Sequence, residues 1–185
     1  MVGSDGTVGS NASLALDSND SPAINHCYWD GHSASEDYDL KFARWNGSSW
    51  DMETLDSDGD VGLYTSLALD SNGYPAISYY YWADRAVKRA RGNESSWGSE
   101  AVDSEGTVGW NTSLALDSNG DPAISYYDYT NGELKFARWD ESPWAIGVVD
   151  SVGDVDLRPS LVLASDGAPA ISYFDWTNGE MKIAR

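Results

Sequence analysis

"SLALDSNGYPAISYYYW", residues 66–82, recurs almost unchanged as "SLALDSNGDPAISYYDY" from Ser113. Looser copies begin at Ser13 ("SLALDSNDSPAINHCYW") and at Ser160 ("SLVLASDGAPAISYFDW"). The opening serines are spaced by 53, 47 and 47 residues, and the first interval carries six extra residues inside "DGHSASEDYDLKFAR". A repeat period in the forties belongs to solenoids and propellers, so the segments within one period decide the fold. "SLALD" is a short β run, "SNG" a turn, and a proline then opens the second run, where its missing N–H does least harm. "TNG" at Thr130–Gly132 and Thr177–Gly179 is a hairpin signal leading into "ELKFARW" or "EMKIAR". A further turn, "NGSS" after Trp45 or "DESP" after Trp139, leads into a fourth run such as "WGSEAVD". No stretch of useful length has the helical period, which excludes helical repeats.

Four antiparallel strands per period make one blade of a β-propeller. The alternation of side chains supports this independently. Leu67, Leu69, Ile77 and Tyr79 point one way, and Ala68, Ala76 and Ser78 the other, with little charge on either side. An antiparallel sheet with one wet face would alternate apolar with polar instead. Large faces stacked on small faces are what blade-on-blade packing requires. The expected architecture is all-β: one propeller domain over residues 1–185, built of four four-stranded blades with the last incomplete. The repeats run over 13–65, 66–112, 113–159 and 160–185, and residues 1–12 read as the end of a preceding unit. An open stack would leave a large-residue face at one end and a small-residue face at the other. Either a four-bladed ring closes with one three-stranded blade, or two chains join into a larger ring; the end faces are complementary, which favours a homo-oligomer completing the ring.

The unit "SLALDSNGxPxISYYD…LKFARW" resembles blades of bacterial and archaeal propellers found in large surface or secreted proteins, and the resemblance covers essentially the whole chain. It implies the fold and an extracellular or cell-surface setting; it implies no particular activity, because one fold hosts many functions. No Trp-Asp closes the third strand, so the WD40 pattern is not met.

Eleven Lys and Arg against thirty Asp and Glu give a formal charge of −19. Such a chain repels phosphate backbones and anionic lipid, which excludes nucleic-acid partners. No apolar run approaches the length of a membrane span, so no membrane insertion is expected. Nine Trp and eleven Tyr argue for a packed core rather than disorder. Cys27 is the only cysteine and has no internal disulfide partner. No signal peptide follows Met1, and the chain reads as a piece excised from a longer protein.

Eight of the eleven basic residues fall on two repeat positions: Lys41, Lys88, Lys135 and Lys182, and Arg44, Arg91, Arg138 and Arg185. Pairing with Asp56, Asp70, Asp103, Asp117 and Asp150, to hold blade register, is expected rather than a set of anion sites. "DSDGD" has the alternating acids of a calcium loop, with Asp56, Asp58 and Asp60 as the candidate ligands. Its relatives "DSEGT" and "DSVGD" lose an acid and no bidentate Glu follows, so ordinary acidic turns and no cofactor are expected. The same loops miss the sialidase Asp-box, because Glu105 and Gly106 follow Ser104 directly and Trp110 then lies one residue too far beyond Gly106. The insertion gathers His32, Glu36, Asp37 and Asp39 near His26, without the spacing of a metal site.

Aromatic residues recur at the end of the second strand: Trp29, Trp82, Tyr129 and Trp176. In a propeller this hairpin shares a face with the loop entering the first strand. There the blades differ most: Asn11, Tyr64, Asn111 and Arg158 are equivalent, as are Ser10, Leu63, Trp110 and Leu157. Variation on a uniform scaffold marks a binding surface. Near-identical blades suit repeated weak sites, so a non-catalytic multivalent module for a glycan or an extracellular protein partner is expected. No nucleophile–base pair or phosphate loop is present, and the chain is expected not to be an enzyme. The alternatives are a glycoside-processing, sialidase-like propeller with one site near the insertion, or a purely structural repeat.

Overall fold

Glycine and an unusual backbone turn decide where each blade begins. The computed structural model describes every residue except 1, 3–6, 30–37, 94, 141–143, 154 and 156–157. The first blade comprises β1 (Thr7–Leu16), β2 (Pro22–Trp29), β3 (Asp39–Trp45) and β4 (Trp50–Asp56). The second comprises β5 (Val61–Leu69), β6 (Pro75–Tyr81), β7 (Ala86–Gly92) and β8 (Trp97–Asp103). The third comprises β9 (Val108–Leu116), β10 (Pro122–Asp128), β11 (Glu133–Arg138) and β12 (Ala145–Asp150). The fourth has β13 (Ser160–Leu163), β14 (Pro169–Asp175) and β15 (Glu180–Ala184). Each sheet is antiparallel in sequence order; three are four-stranded and the last is three-stranded. No helix occurs among the described residues. The chain is an all-β propeller of four blade repeats, the last incomplete.

Strands β1, β5 and β9 start about six residues before the serine repeats, because the expected entry loop is strand. Thr7 already pairs with Trp29, so residues 7–12 belong to the first blade and not to a preceding unit. The register slips near Gly9, Gly62 and Gly109, all with positive φ, and again around Asn11, Tyr64 and Asn111 at φ 50°, 54° and 52°. Gly109 needs to be glycine for two reasons. Its φ is +103°, and a Cβ there would lie 2.7 Å from the Val87 Cβ of the second blade.

The large-on-small packing holds near the axis and reverses at the rim. Leu67, Ile77 and Tyr79 of the second blade pack on Ala15 and Ala23 of the first, while Leu40 and Phe42 of the first meet Ala90 of the second. The pattern repeats with Leu114 and Ile124 on Ala68 and Ala76, and with Leu161 and Ile171 on Ala115 and Ala123. Each interface therefore interlocks in both directions.

Polar contacts fix its register. The hydroxyls of Ser13, Ser66 and Ser113 accept the amide N–H of Leu67, Leu114 and Leu161 in the next blade, each at 3.0 Å. The aspartate ending each fourth strand accepts a tyrosine hydroxyl from the following blade: Tyr79 on Asp56, Tyr126 on Asp103 and Tyr173 on Asp150, at 2.7–2.8 Å. Lys135 lies 3.0 Å from Asp103 and 3.3 Å from Asp128; Lys182 lies 3.3 Å from Asp150 and 2.6 Å from Asp175. On the opposite face Arg91 pairs with Asp70 and Arg138 with Asp117. Lys88 lies 3.9 Å from Asp56, so five of the eight repeated charges pair with the expected aspartates, whereas Lys41 lies 3.8 Å from Asp39 and Arg44 donates to the Gly73 carbonyl.

The clasps move the titrations of their members. Hydrogen bonds from Lys182 and Asn178 hold the Asp175 carboxyl at about 2, and Asp175 holds the Lys182 ammonium at about 12. Burial pushes the Asp103 carboxyl up, but bonds from the Glu105 amide, Tyr126 and Lys135 outweigh it and leave the group below its usual range. Burial, with the charge of Asp103, pushes the Tyr126 hydroxyl far up.

Two measurements check this account. Asp103→Ala leaves the Tyr126 hydroxyl without its acceptor and Lys135 with Asp128 alone, and should cost roughly 2–3 kcal/mol in urea unfolding, with Gly109→Ala costing about 2–3 kcal/mol through strain and overlap. The carboxyls are depressed in the folded chain, so their contribution is complete above the unfolded value near 4 and disappears as pH falls toward about 2. The urea midpoint should drop across that window, and less so in Asp175→Asn.

Candidate functional site: an aromatic ladder beside the axial depression

The hairpins between second and third strands lie against the loops entering the first strands of their own blades. The Trp82 amide donates to the Asp60 carbonyl at 3.1 Å, and the Tyr129 amide to the Thr107 carbonyl at 2.9 Å. Asp128 shapes the third-blade hairpin: its carboxylate accepts the amides of Thr130 at 2.9 Å and Asn131 at 3.2 Å. The second blade lacks Asn-Gly, and Arg85 takes the left-handed conformation there, at φ 55°. These hairpins hold Trp82 and Tyr129 out from the same face, both exposed.

The left-handed Asn11, Tyr64 and Asn111, with Arg158 at the equivalent position, are the second component. Asn11, Tyr64, Asn111 and Arg158, one from each blade, line a depression of about 200 Å³ together with Ala12, Thr65, Thr112 and Pro159. Because every blade contributes, the depression marks the axis. A tyrosine at positive φ is costly, and hydrogen bonds hold it there. The Thr112 hydroxyl donates to the Tyr64 carbonyl at 2.7 Å and lies 2.7 Å from the Ser78 hydroxyl.

Rings join the two components. Tyr64 stacks on Trp110 at 5.6 Å between centroids, and Trp110 on Tyr129 at 4.7 Å. Tyr80 meets Trp110 edge-on at 6.4 Å and carries Trp82 at 5.8 Å. Five rings from two blades thus form a continuous ladder from the depression to the exposed hairpins. Trp110 holds the middle; Tyr129 and Trp82 present the exposed rings.

The four equivalent aromatics do not form equivalent sites. Trp82 and Tyr129 join the ladder, whereas Trp176 packs edge-on against Phe174 at 5.0 Å in the fourth blade and Trp29 is half-buried in the first. Tyr80, which nothing within its own repeat singles out, bridges Trp110 and Trp82. Its signal is the offset of Tyr64 and Trp110, one repeat position apart in adjacent blades. Leu157 lies outside the described residues, as do His32, Glu36 and Asp37 of the insertion. His26 is buried, with Nδ1 2.8 Å from the Cys27 carbonyl, and Asp39 lies 3.8 Å from Lys41.

Other polar groups are committed elsewhere. Asp56 accepts the Tyr79 hydroxyl and the Asp58 amide, so a calcium ion drawing on Asp56, Asp58 and Asp60 would compete with the blade clasp. No group of three or more metal-ligating side chains occurs among the described residues. Burial, then the charge of Asp60, pushes the Cys27 thiol up to about 12, which keeps it un-ionised. A cleft of about 570 Å³ lies at the rim between β8 and β12, away from the ladder. It is the splay between two blades, and Lys135 in its wall is already paired with Asp103.

No protein-family model and no curated protein matches the chain. Solved structures do. A protein of unknown function from Dyadobacter fermentans superposes over 96% of this chain and 52% of its own, with TM-score 0.70 and 13% identity. A Hadza microbial sialidase matches over 94% of this chain and 43% of its own, with TM-score 0.63 and 13% identity. A xylan β-1,4-xylosidase from Bacillus halodurans matches over 97% and 41%, with TM-score 0.60 and 12% identity. The chain thus spans about half the length of these proteins or less, and the likeness is one of fold. It corrects one expectation. The chain was expected not to be an enzyme because its blades are nearly alike, but the same fold is that of a sialidase and a xylosidase. The expectation that the chain is not an enzyme is therefore unsupported.

The ladder is a support with exposed ends. Trp110→Ala should lower the melting temperature by several degrees, since it removes a half-buried central ring. Tyr129→Ala should shift it by no more than about a degree or two, as differential scanning fluorimetry would register.

Proposed function

We propose that this chain is the carbohydrate-recognising part of a glycoside-processing propeller. A glycan lies along the ladder of Tyr129, Trp110 and Tyr64, with Trp82 flanking it, and enters the axial depression between Asn11, Asn111 and Arg158. The observation that carries this reading is the ring continuity between Tyr64 at the axis and exposed Tyr129. Exposed aromatic faces suit the apolar faces of sugars, and amide and guanidinium groups suit their hydroxyls. The names of two structural neighbours, a sialidase and a xylosidase, point to the same substrate class. A charge of −19 favours neutral over anionic sugars and an exterior salty enough to screen it, which supports an extracellular setting. The residues lining the depression bind and orient; they do not supply the two carboxyls of glycoside cleavage.

A glycan array followed by titration calorimetry tests the binding. Affinity near millimolar is expected, about 4 kcal/mol, with one ligand per chain. Tyr129→Ala and Trp82→Ala should each weaken it about tenfold or more, while Trp176→Ala leaves it unchanged. If Trp176→Ala weakens binding equally and several ligands bind, the multivalent, per-blade reading replaces this one. Loss of binding in His32→Ala alone would move the site to the insertion. Release of a chromophore from aryl glycosides, tested separately, reports turnover.

A further inference from the structure

The stack of blades ends in two uncovered faces that are the two halves of an interface the chain already makes three times. At one end, Leu14 and Leu16 of β1 and Met52 of β4 are exposed. At the other, Val162 of β13 and Met181 and Ile183 of β15 are exposed. The register of the repeats makes these residues equivalent to core residues elsewhere. Leu14 occupies the position of Leu67, Leu114 and Leu161, and is 61% exposed where those are 5–7%. Met181 stands at the position of Leu40 and Leu134, and is 77% exposed where those are fully buried. Ile183 stands at that of buried Phe42.

The polar half of the interface is also divided between the ends. Ser13, Ser66 and Ser113 each accept the leucine amide of the next blade, and the equivalent Ser160 is exposed on the fourth blade. Its counterpart would be the Leu14 amide, on the first. One end therefore offers the acceptor and the other the donor, alongside apolar surfaces that match by repeat position.

We propose that a second copy of this chain docks its first blade on the fourth blade of the other. Leu14 and Leu16 then meet Val162 and Ala170, Ile183 packs towards Met52, and the Ser160 hydroxyl accepts the Leu14 amide. The contact is heterologous, joining different surfaces of the two copies, and two such contacts close a two-fold pair. Exposed apolar patches of this kind mark association surfaces, and the internal repetition of the contact identifies the partner as another copy.

Light scattering after gel filtration should give twice the chain mass of 20.1 kDa. Ile183→Asp removes one end and Leu14→Asp the other; each variant alone should elute as a folded monomer, checked by circular dichroism. Mixed in equal amounts, the two should recover a pair, because each retains the end that the other has lost. A folded wild-type chain that remains at 20.1 kDa at high concentration overturns the proposal. So does association that survives both substitutions, or a mixture of variants that stays monomeric. Glycan binding by a monomeric variant is read separately, so failure here is distinguishable from failure of the proposed site.

Discussion

A serine hydroxyl accepting a leucine amide from the next blade, at 3.0 Å in each of three interfaces, fixes how one blade sits on another. A one-residue slip would take the amide away from the hydroxyl and turn every leucine to the opposite face. Around this contact the interface interlocks, leucine and isoleucine into alanine near the axis, and leucine or phenylalanine into alanine at the rim. The Tyr–Asp–Lys clasp then closes the outer edge. No blade can bury both faces alone, so the repeat and the stack are one physical fact.

The same regularity explains where the molecule is free to differ. Strand positions facing another blade are held by packing, and positions on the hairpin face are not. The ladder arises there because Tyr64 and Trp110 depart from their counterparts in adjacent blades, at positions that approach each other across the interface. The left-handed bulges turn Asn11, Tyr64 and Asn111 towards the axis, and the hydrogen bond from Thr112 keeps Tyr64 in a conformation that it would not adopt by preference. Strain and variation thus coincide on one face, as they do where a scaffold carries a site.

Acidity has two distinct roles. Asp56, Asp103 and Asp150 are structural: each is spent on a tyrosine and a lysine of the following blade, which is why loops that look like calcium or Asp-box motifs act as register pins. The remaining carboxylates raise the overall negative field, and Arg158 at the axial depression is a local exception to it. A fold shared with a sialidase and a xylosidase gives no ground for excluding catalysis.

Much of this was legible in the residues themselves. The 47-residue period, the first-position prolines, the Asn-Gly turns and the Leu/Ala alternation determine a propeller, because hydrogen bonding within each sheet and burial between sheets leave few other solutions. The equal spacing of Lys41, Lys88, Lys135 and Lys182 likewise determines that those charges serve the repeat. Three things were settled only in three dimensions. The entry loops are strands, because positive φ at Gly9, Gly62 and Gly109 lets the chain bulge without leaving the sheet. The large and small faces exchange places at the third strand, because the gap between splayed blades must be filled from the other side. And Trp82, Tyr129 and Trp176, interchangeable as letters, part company because ring stacking depends on what the neighbouring blade presents, which no position reveals within its own repeat.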